Sequence, residues 1–559
     1  MQPVTHLAVW LHAVRIGNNL WLASRSKQAT QQDEEESMKK TLCVRLFSFA
    51  LALSIAALTG CSTVANKAPA EQIADGLSVE EFRAYGRTSP SVVGTRIGEL
   101  KFTEGGFAGG YPTPDTVDKL FDEMDFQRAT QAYLWAVPLV SYAEWLIAHE
   151  DRFNAKDGQI VQQKTALSKQ GILTANATTP YAIAFADLSR TGPLVFEVPE
   201  GPSAGIINDM WQRAVMDFGL SGPDAAKGVK FLILAPGMEK PIDLDETEFT
   251  VVQNHTNVVF LGIRALQPDP AEADAMLHKF RTYSYAKRDN PPAFELLVIG
   301  DDVPWGQWQP HGMAYWESLK MIMDREVFPK RDRFMLAMLE SLGIEKGKPF
   351  KPTERQQEIL KQAAVVGESM AKANTFTGQR FANSELYKGT HWDQLMIVSF
   401  DDRDEYFDQL YRRASFTWEA VSRGKAYYIE QPGIGQQYRT GYKDSDGNPL
   451  VGSQHYSLTM PVNPPAKLFW SIVVYDVNTR TLILNETGIP AASSRTGVKA
   501  DADGSVTLHF SATLPEGVAK ENWLQTNDGE SWFAYLRFYG PTEAYFDETY
   551  PLQDIKRVE

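Results

Sequence analysis

Hydrophobic periodicity runs through this chain in four blocks, helix, β, helix, β, and neither one continuous sheet nor one helical bundle can satisfy that order. Thr113 and Pro114 open a helix with apolar Leu120, Phe121 and Met124. A second helical run carries Phe126, Ala129, Tyr133, Val137 and Val140 on one stripe, with a kink expected at Pro138. From Gly171 the pattern changes to short β-favouring runs, Leu194–Val198, Phe231–Leu234 and Val258–Leu261, bounded by Gly and Pro. Helical patterning returns from about 267 to 424, at Met276–Phe280, Tyr315–Met323, Phe334–Leu342, Glu354–Ala373 and Tyr406–Val421. The last stretch is strand-rich, at Leu468–Tyr475, Val506–Phe510 and Trp532–Tyr539, with Asp446-Gly447 and Asp503-Gly504 as turns. The reading is an α+β multidomain protein: two β-rich domains with a helical segment between them.

The first 60 residues carry targeting information rather than fold. Met38, Lys39, Lys40 and Arg45 make a basic start, the apolar run Leu46–Leu58 follows, and Leu58-Thr59-Gly60-Cys61 closes it as a lipobox. The apolar run is too short to span a bilayer comfortably. Cys61 is the expected lipidation (palmitate) site. Ser62 follows it, where an Asp would favour retention in the inner membrane, so the expected address is the periplasmic face of the outer membrane. The expected organisation is an over-long start at 1–37, a signal peptide at 38–60, a small-residue tether at 61–90 with a capping box at Ser78 and Glu81, an N-terminal α+β domain at 91–266, a helical segment at 267–424 and a C-terminal β-rich domain at 425–559.

Charge and cysteine usage narrow the function classes. The chain has 55 basic and 70 acidic residues; without the six and four of the leader, 49 and 66 remain, a net charge of −17. Such a surface repels nucleic-acid phosphates, so no nucleic-acid partner is expected. The two cysteines are Cys43, in the signal, and Cys61, at the lipobox. No thiol is left for a disulfide, a zinc cage or a nucleophile.

Gly110–Val117 leading into Asp125–Ala136, with Gly228–Leu234 and Thr256–Phe260, resembles the bacterial family called domain of unknown function 1254. Arg331–Met335 and Gly343–Gly347 match the linker of its longer members. Leu468–Ser471, Tyr475-Asp476, Asn522-Trp523 and Leu536–Pro541 resemble the companion family, domain of unknown function 1214. The resemblance implies a multidomain fold with β-sandwich or jelly-roll parts and helical packing between them. It brings no settled activity and no catalytic residue.

Several local patterns invite chemistry and have plainer readings. Gly201-Pro202-Ser203-Ala204-Gly205 matches a nucleophile elbow, but Ile206, Ile207 and Asn208 suit a strand where an elbow needs a helix. Asp444-Ser445-Asp446-Gly447-Asn448 opens like a calcium loop, yet its twelfth position is His455 and not Glu, which favours a hairpin turn. Gly433-Ile434-Gly435 lacks the third glycine of a dinucleotide site. The seven histidines from His149 to His509 show no metal-ligand spacing, so no metal and no cofactor is assigned. Asp301, Asp302, Trp305, Trp308 and His311 gather two carboxylates, two indoles and an imidazole on a Pro/Gly-rich loop. This loop is the candidate ligand site at an interdomain cleft, the plain alternative being an interdomain plug. Arg264, Arg480 and Arg537 sit in apolar strand-like runs, as structural salt bridges or as clamps for a ligand carboxylate.

Together these features point to an envelope lipoprotein that binds a small amphipathic ligand between its β domains. Alternatives are a periplasmic hydrolase using carboxylates, His311 or a metal, and a structural envelope protein without a ligand; whether the chain is an enzyme, and its oligomeric state, stay open. Cys61→Ser is expected to move the protein from the membrane fraction to the soluble periplasm; a variant that still pellets and incorporates palmitate would refute the lipid anchor.

Overall fold

The computed structural model describes residues 89–377, 381 and 386–559. The signal, Cys61, the tether up to residue 88 and the Ser78–Glu81 box lie outside the described residues. The chain divides into two compact units. In the smaller, residues up to Val93 with Lys101–Tyr111, the Phe102 and Phe107 rings meet edge-on at 5.3 Å. The larger, Gly94–Leu100 with Pro112–Glu559, holds the sandwiches and the helices packed between them.

Strands β1 (Val92–Thr95) and β2 (Gly98–Lys101) come first in the chain. The N-terminal β domain then stacks two sheets. One has the order β12-β3-β4-β10-β6-β7, from β3 (Val161–Gln163), β4 (Tyr181–Asp187), β6 (Ser203–Asp209), β7 (Ala214–Gly219), β10 (Val258–Ala265) and β12 (Leu297–Val298). The other has the order β11-β5-β8-β9, from β5 (Leu194–Val198), β8 (Val229–Leu234), β9 (Phe249–Gln253) and β11 (Arg281–Ser284). Strands within 267–424 therefore complete sheets begun before it. Most pairings are antiparallel, with β10 aligned residue for residue on β4 and β6.

The C-terminal domain repeats the plan. A five-stranded sheet, β13-β14-β20-β16-β17, uses β13 (Trp392–Gln394), β14 (Gln436–Gly441), β16 (Ala466–Asp476), β17 (Ala491–Ser493) and β20 (Trp532–Pro541). It packs on β19-β18-β15-β21, from β15 (Tyr456–Met460), β18 (Val506–Ser511), β19 (Trp523–Gln525) and β21 (Lys556–Arg557). The fold is α+β, with two sandwiches and helical packing between them.

Alternation along single strands explains why these segments read as unbroken apolar runs. Ala182, Ala184 and Ala186 of β4 and Val259, Leu261 and Ile263 of β10 point into the N-terminal sandwich core. Their neighbours Ile183, Phe185, Val258 and Phe260 join the central core. In the C-terminal domain Ile472, Val474, Ala534 and Leu536 fill the sandwich, while Val473, Tyr475, Phe533 and Tyr535 face the centre. Each domain thus buries both faces of its larger sheet.

The central core is built on one helix, Pro114–Ile147, which continues through Pro138 where two runs and a kink were expected. The proline removes one helix bond, but residues 132–143 are buried in protein on every side, so surrounding groups hold the segment. Gln212 Nε2, for instance, donates to the Pro138 carbonyl at 2.9 Å. The helices Met313–Arg325, Arg333–Glu340, Glu354–Phe376 and Leu410–Glu419 pack around it. The Glu354–Phe376 helix begins with a full capping box, Thr353 with Gln356. The helix read at Met276–Phe280 is Pro270–Leu277, started by the Asp269 cap and Pro270.

Two expected turns form as read: Asp444 accepts from the N–H of Asp446 and Asn448, and Gly447 and Gly504 take φ of +81° and +87°. Ser203 begins a strand and is fully buried, so the elbow geometry is absent.

Gly367 crosses the central helix with no room for a side chain. A Cβ there would lie 2.6 Å from Tyr133 Cγ, and the Tyr133 ring is itself stacked on Tyr315 at 3.9 Å. Gly367→Ala gains roughly 1 kcal/mol of helix propensity but forces an overpacked contact costing about 1–3 kcal/mol. A net loss of stability in chemical denaturation is expected; an unchanged or raised midpoint would contradict this packing.

Candidate functional site

A cavity of about 130 Å³ lies where the larger sheets of the two sandwiches face each other. Its floor is the central face of the N-terminal sheet: Tyr181 and Ile183 of β4, Phe260, Gly262 and Arg264 of β10, Ala204 and Ile206 of β6, and Asp217 of β7. Its roof is Gln436 and Tyr438 of β14 with Tyr535 and Arg537 of β20. The loop 172–176 and residues 416–427, beyond and within the last central helix, close the sides. Strand alternation puts these residues on one face: Arg264 lies opposite Ala204, Gly262 opposite Ile206, and Ile206 opposite Asp217.

The walls are apolar and aromatic, yet two guanidinium groups point in. Arg264 Nε donates to Thr179 Oγ1 and Nη1 to Gln436 Oε1, both at 3.3 Å. Arg264 lines the cavity while lying deep in the protein. Arg537 is 3% exposed; Nη2 donates to the Thr174 carbonyl at 2.9 Å, and Nη1 is buried with no hydrogen-bond partner. Rings of Tyr438, Tyr475 and Tyr535 surround its guanidinium at 5.2–5.7 Å. Burial holds the Tyr438, Tyr475 and Tyr535 hydroxyls above the ordinary tyrosine range, so they are neutral near pH 7. The salt bridges expected for these arginines do not form among the described residues. Arg480, the third of the set, is satisfied by the Trp418 carbonyl at 3.1 Å, by Gln309 Oε1 at 2.7 Å and by the Asn478 carbonyl.

Three further features mark the site. Thr174, a β-branched wall residue, is held at φ +42°, in the left-handed region such residues avoid. Lys169 is buried beside Arg264, donating to the carbonyls of Asn176 and Thr179; burial, with the nearby Arg264 charge, brings its pKa down to about 7. Asp217 is raised by burial while its oxygens accept from the N–H of Lys425 and Ala426.

The five loop residues read as a ligand site lie apart from this cavity. Trp305 and Trp308 are half-buried along a separate open groove with Pro304, Pro310, Glu144 and Arg152. Trp305 stacks on Trp145 at 5.9 Å and meets Phe153 edge-on at 5.3 Å. His311 is exposed and 2.8 Å from Glu368; Asp301 is exposed and accepts from Thr165, and Asp302 is exposed. The loop's buried members are Gln307 and Gln309, which bind the Leu173 N–H and the Thr417 carbonyl. Sequence reasoning flagged Arg264 and Arg537 as strand-borne charges but missed Tyr181, Tyr427, Tyr438 and Tyr535, whose meeting needs both domains. Among the described residues no group of three His, Cys, Asp or Glu could hold a metal ion.

The family described as "Protein of unknown function (DUF1254)" matches residues 158–285, and that described as "Protein of unknown function (DUF1214)" matches residues 435–543. The chain carries a DUF1254 domain followed by a DUF1214 domain. The cavity draws Arg264 from the DUF1254 segment and Tyr438, Tyr535 and Arg537 from the DUF1214 segment. No curated protein matches the chain. Among solved structures it is similar to the VPA0106 protein from Vibrio parahaemolyticus, 20% identical with a TM-score of 0.46, covering 78% of this chain and 100% of that one. It is also similar to an uncharacterised protein from Burkholderia cenocepacia, 12% identical with a TM-score of 0.36, covering 79% and 97%.

Behind the DUF1214 wall, Tyr535 turns its hydroxyl away from the cavity to donate to Glu419, which also accepts from Tyr442. Burial raises Glu419 from 4.5 to about 7, outweighing these hydrogen bonds. Between those values the folded state holds a proton the unfolded chain has lost. This contribution to stability is therefore complete below about pH 4.5 and declines as pH rises to about 7, by up to roughly 3 kcal/mol. Glu326, also raised to about 7 by burial, acts in the same sense. Glu419→Gln is expected to shrink the decline in denaturation midpoint between pH 4.5 and 7; an unchanged pH profile would show that Glu419 is ionised throughout.

Proposed function

We propose that this chain is an envelope lipoprotein whose cavity between the DUF1254 and DUF1214 sheets binds a small, partly apolar molecule. The observation that carries the reading is the cavity itself: aromatic and aliphatic walls with a few inward polar groups, the usual composition of a small-molecule site. Its size is comparable to the ~150 Å³ apolar cavity that admits benzene, so the fitting ligand is about one ring or a short chain. The lipobox at Cys61 supports the envelope address. The cavity brings together no nucleophile with an adjacent base, which sets binding ahead of hydrolysis. A second reading keeps the ligand on the loop bearing Trp305 and Trp308, and the groove they line favours it.

Thermal scanning against a panel of small neutral and charged aromatic and aliphatic compounds separates these readings. At least one compound is expected to raise the melting temperature of the native chain, and Ala204→Phe, which fills the cavity floor, should abolish that rise while Trp308→Ala retains it. The reverse pattern would place the ligand in the groove, and no response to any compound would overturn ligand binding.

A further inference from the structure

We propose that the cavity selects small monocarboxylic acids, with the carboxylate received by Arg537 and Arg264 and the apolar body lying against Trp145, Phe260 and Ile183. This deepens, and rests on, the reading of the cavity as a ligand site. The first ground is the open donor: Arg537 lines the cavity, and its Nη1 is enclosed without a hydrogen-bond partner. A buried donor without an acceptor is costly, and a guanidinium stays protonated, so the group cannot relieve the cost by losing its charge. The second ground is the company it keeps. Arg264 Nη1 donates to Gln436, which shares a face of β14 with Tyr438, the residue paired across the sheet with Arg537, so both cations act on the same end of the cavity. Lys169 adds a buried amine nearby, donating to the carbonyls of Asn176 and Thr179.

An anion there completes the hydrogen bonding of Nη1 and offsets positive charge that no carboxylate among the described residues pairs with. Asp217, the carboxylate on the wall, lies on β7 with β6 between it and β10, and backbone N–H groups hold it. One open guanidinium nitrogen within otherwise apolar walls suits a singly charged, planar head; a dianionic phosphate would need donors that the walls do not offer. Atoms of Trp145, Phe260 and Ile183 then contact the remainder of the molecule.

Titration calorimetry of the full chain with benzoate and with benzyl alcohol, its neutral near-isostere, tests this. Benzoate is expected to bind at least about ten-fold more tightly, the scale of one charge-assisted hydrogen bond. Arg264→Gln, which keeps a donor toward Thr179, should weaken benzoate by about ten-fold or more and leave benzyl alcohol unchanged. The comparison of the two compounds uses the native chain, so it stands even where Arg537→Met fails to fold. Equal affinity for both would overturn the acid preference and leave the cavity reading in place. Binding of neither, with neutral compounds of the panel still raising the melting temperature, would again remove only the acid preference; silence from every compound would remove both.

Discussion

From Ala129 to Leu146 the central helix offers almost no side to water, and the later central helices and the inward faces of both larger sheets take their places against it. Its residues form one core with the helices that follow and with the inward faces of both larger sheets. An element buried on all sides cannot move without opening apolar surface in several directions, so it sets the separation of the two sandwiches. Polar links reinforce this: Trp135 Nε1 donates to Asp332 Oδ1 at 3.0 Å, and Arg413 Nη2 donates to the Trp135 carbonyl at 3.0 Å. The cavity exists because the two sheets are held apart beside this helix, with Trp145 contributing to both the core and the wall.

The interior holds several buried cations and answers them to different degrees. Arg423, fully buried, is paired with Asp402, itself 1% exposed, and Arg413 lies 3.7 Å from the same carboxylate. Arg480 is answered by carbonyls and an amide. The fold therefore pairs some buried guanidinium nitrogens, while Arg423 Nε and Nη2 and Arg413 Nε, like Arg537 Nη1, have no hydrogen-bond partner. Arg537 differs in that it lines the cavity, in the same wall where Thr174 is held in a strained backbone conformation. A strained backbone and an unanswered charge at one place are the usual marks of a site shaped for something other than stability.

Much of the secondary structure was legible along the chain because it depends on near neighbours. Leu194–Val198 is a strand within the residues that its β-branched run predicts, and Glu354 begins a helix because Thr353 and Gln356 cap it. Errors arose where tertiary packing overrode local signals. Pro138 leaves the helix unbroken because the surrounding protein holds it, and Arg281–Ser284 becomes a strand because it finds Leu194–Val198. The indoles of Trp305 and Trp308 drew attention by composition alone, which cannot tell a groove wall from a packed ring.

The sequence by itself determined the α+β order, the net negative charge, the confinement of both cysteines to the first 61 residues and the two domains of unknown function, since each is a property of composition or of contiguous residues. It also showed that Arg264 and Arg537 stand in apolar strands. Only the tertiary structure decided that they meet: they are separated by most of two domains, and their proximity follows from sheet register and from the width the central helix imposes. Whether a buried charge is a salt bridge or a ligand clamp depends on what stands across from it, and that is fixed by contacts between segments far apart in the chain.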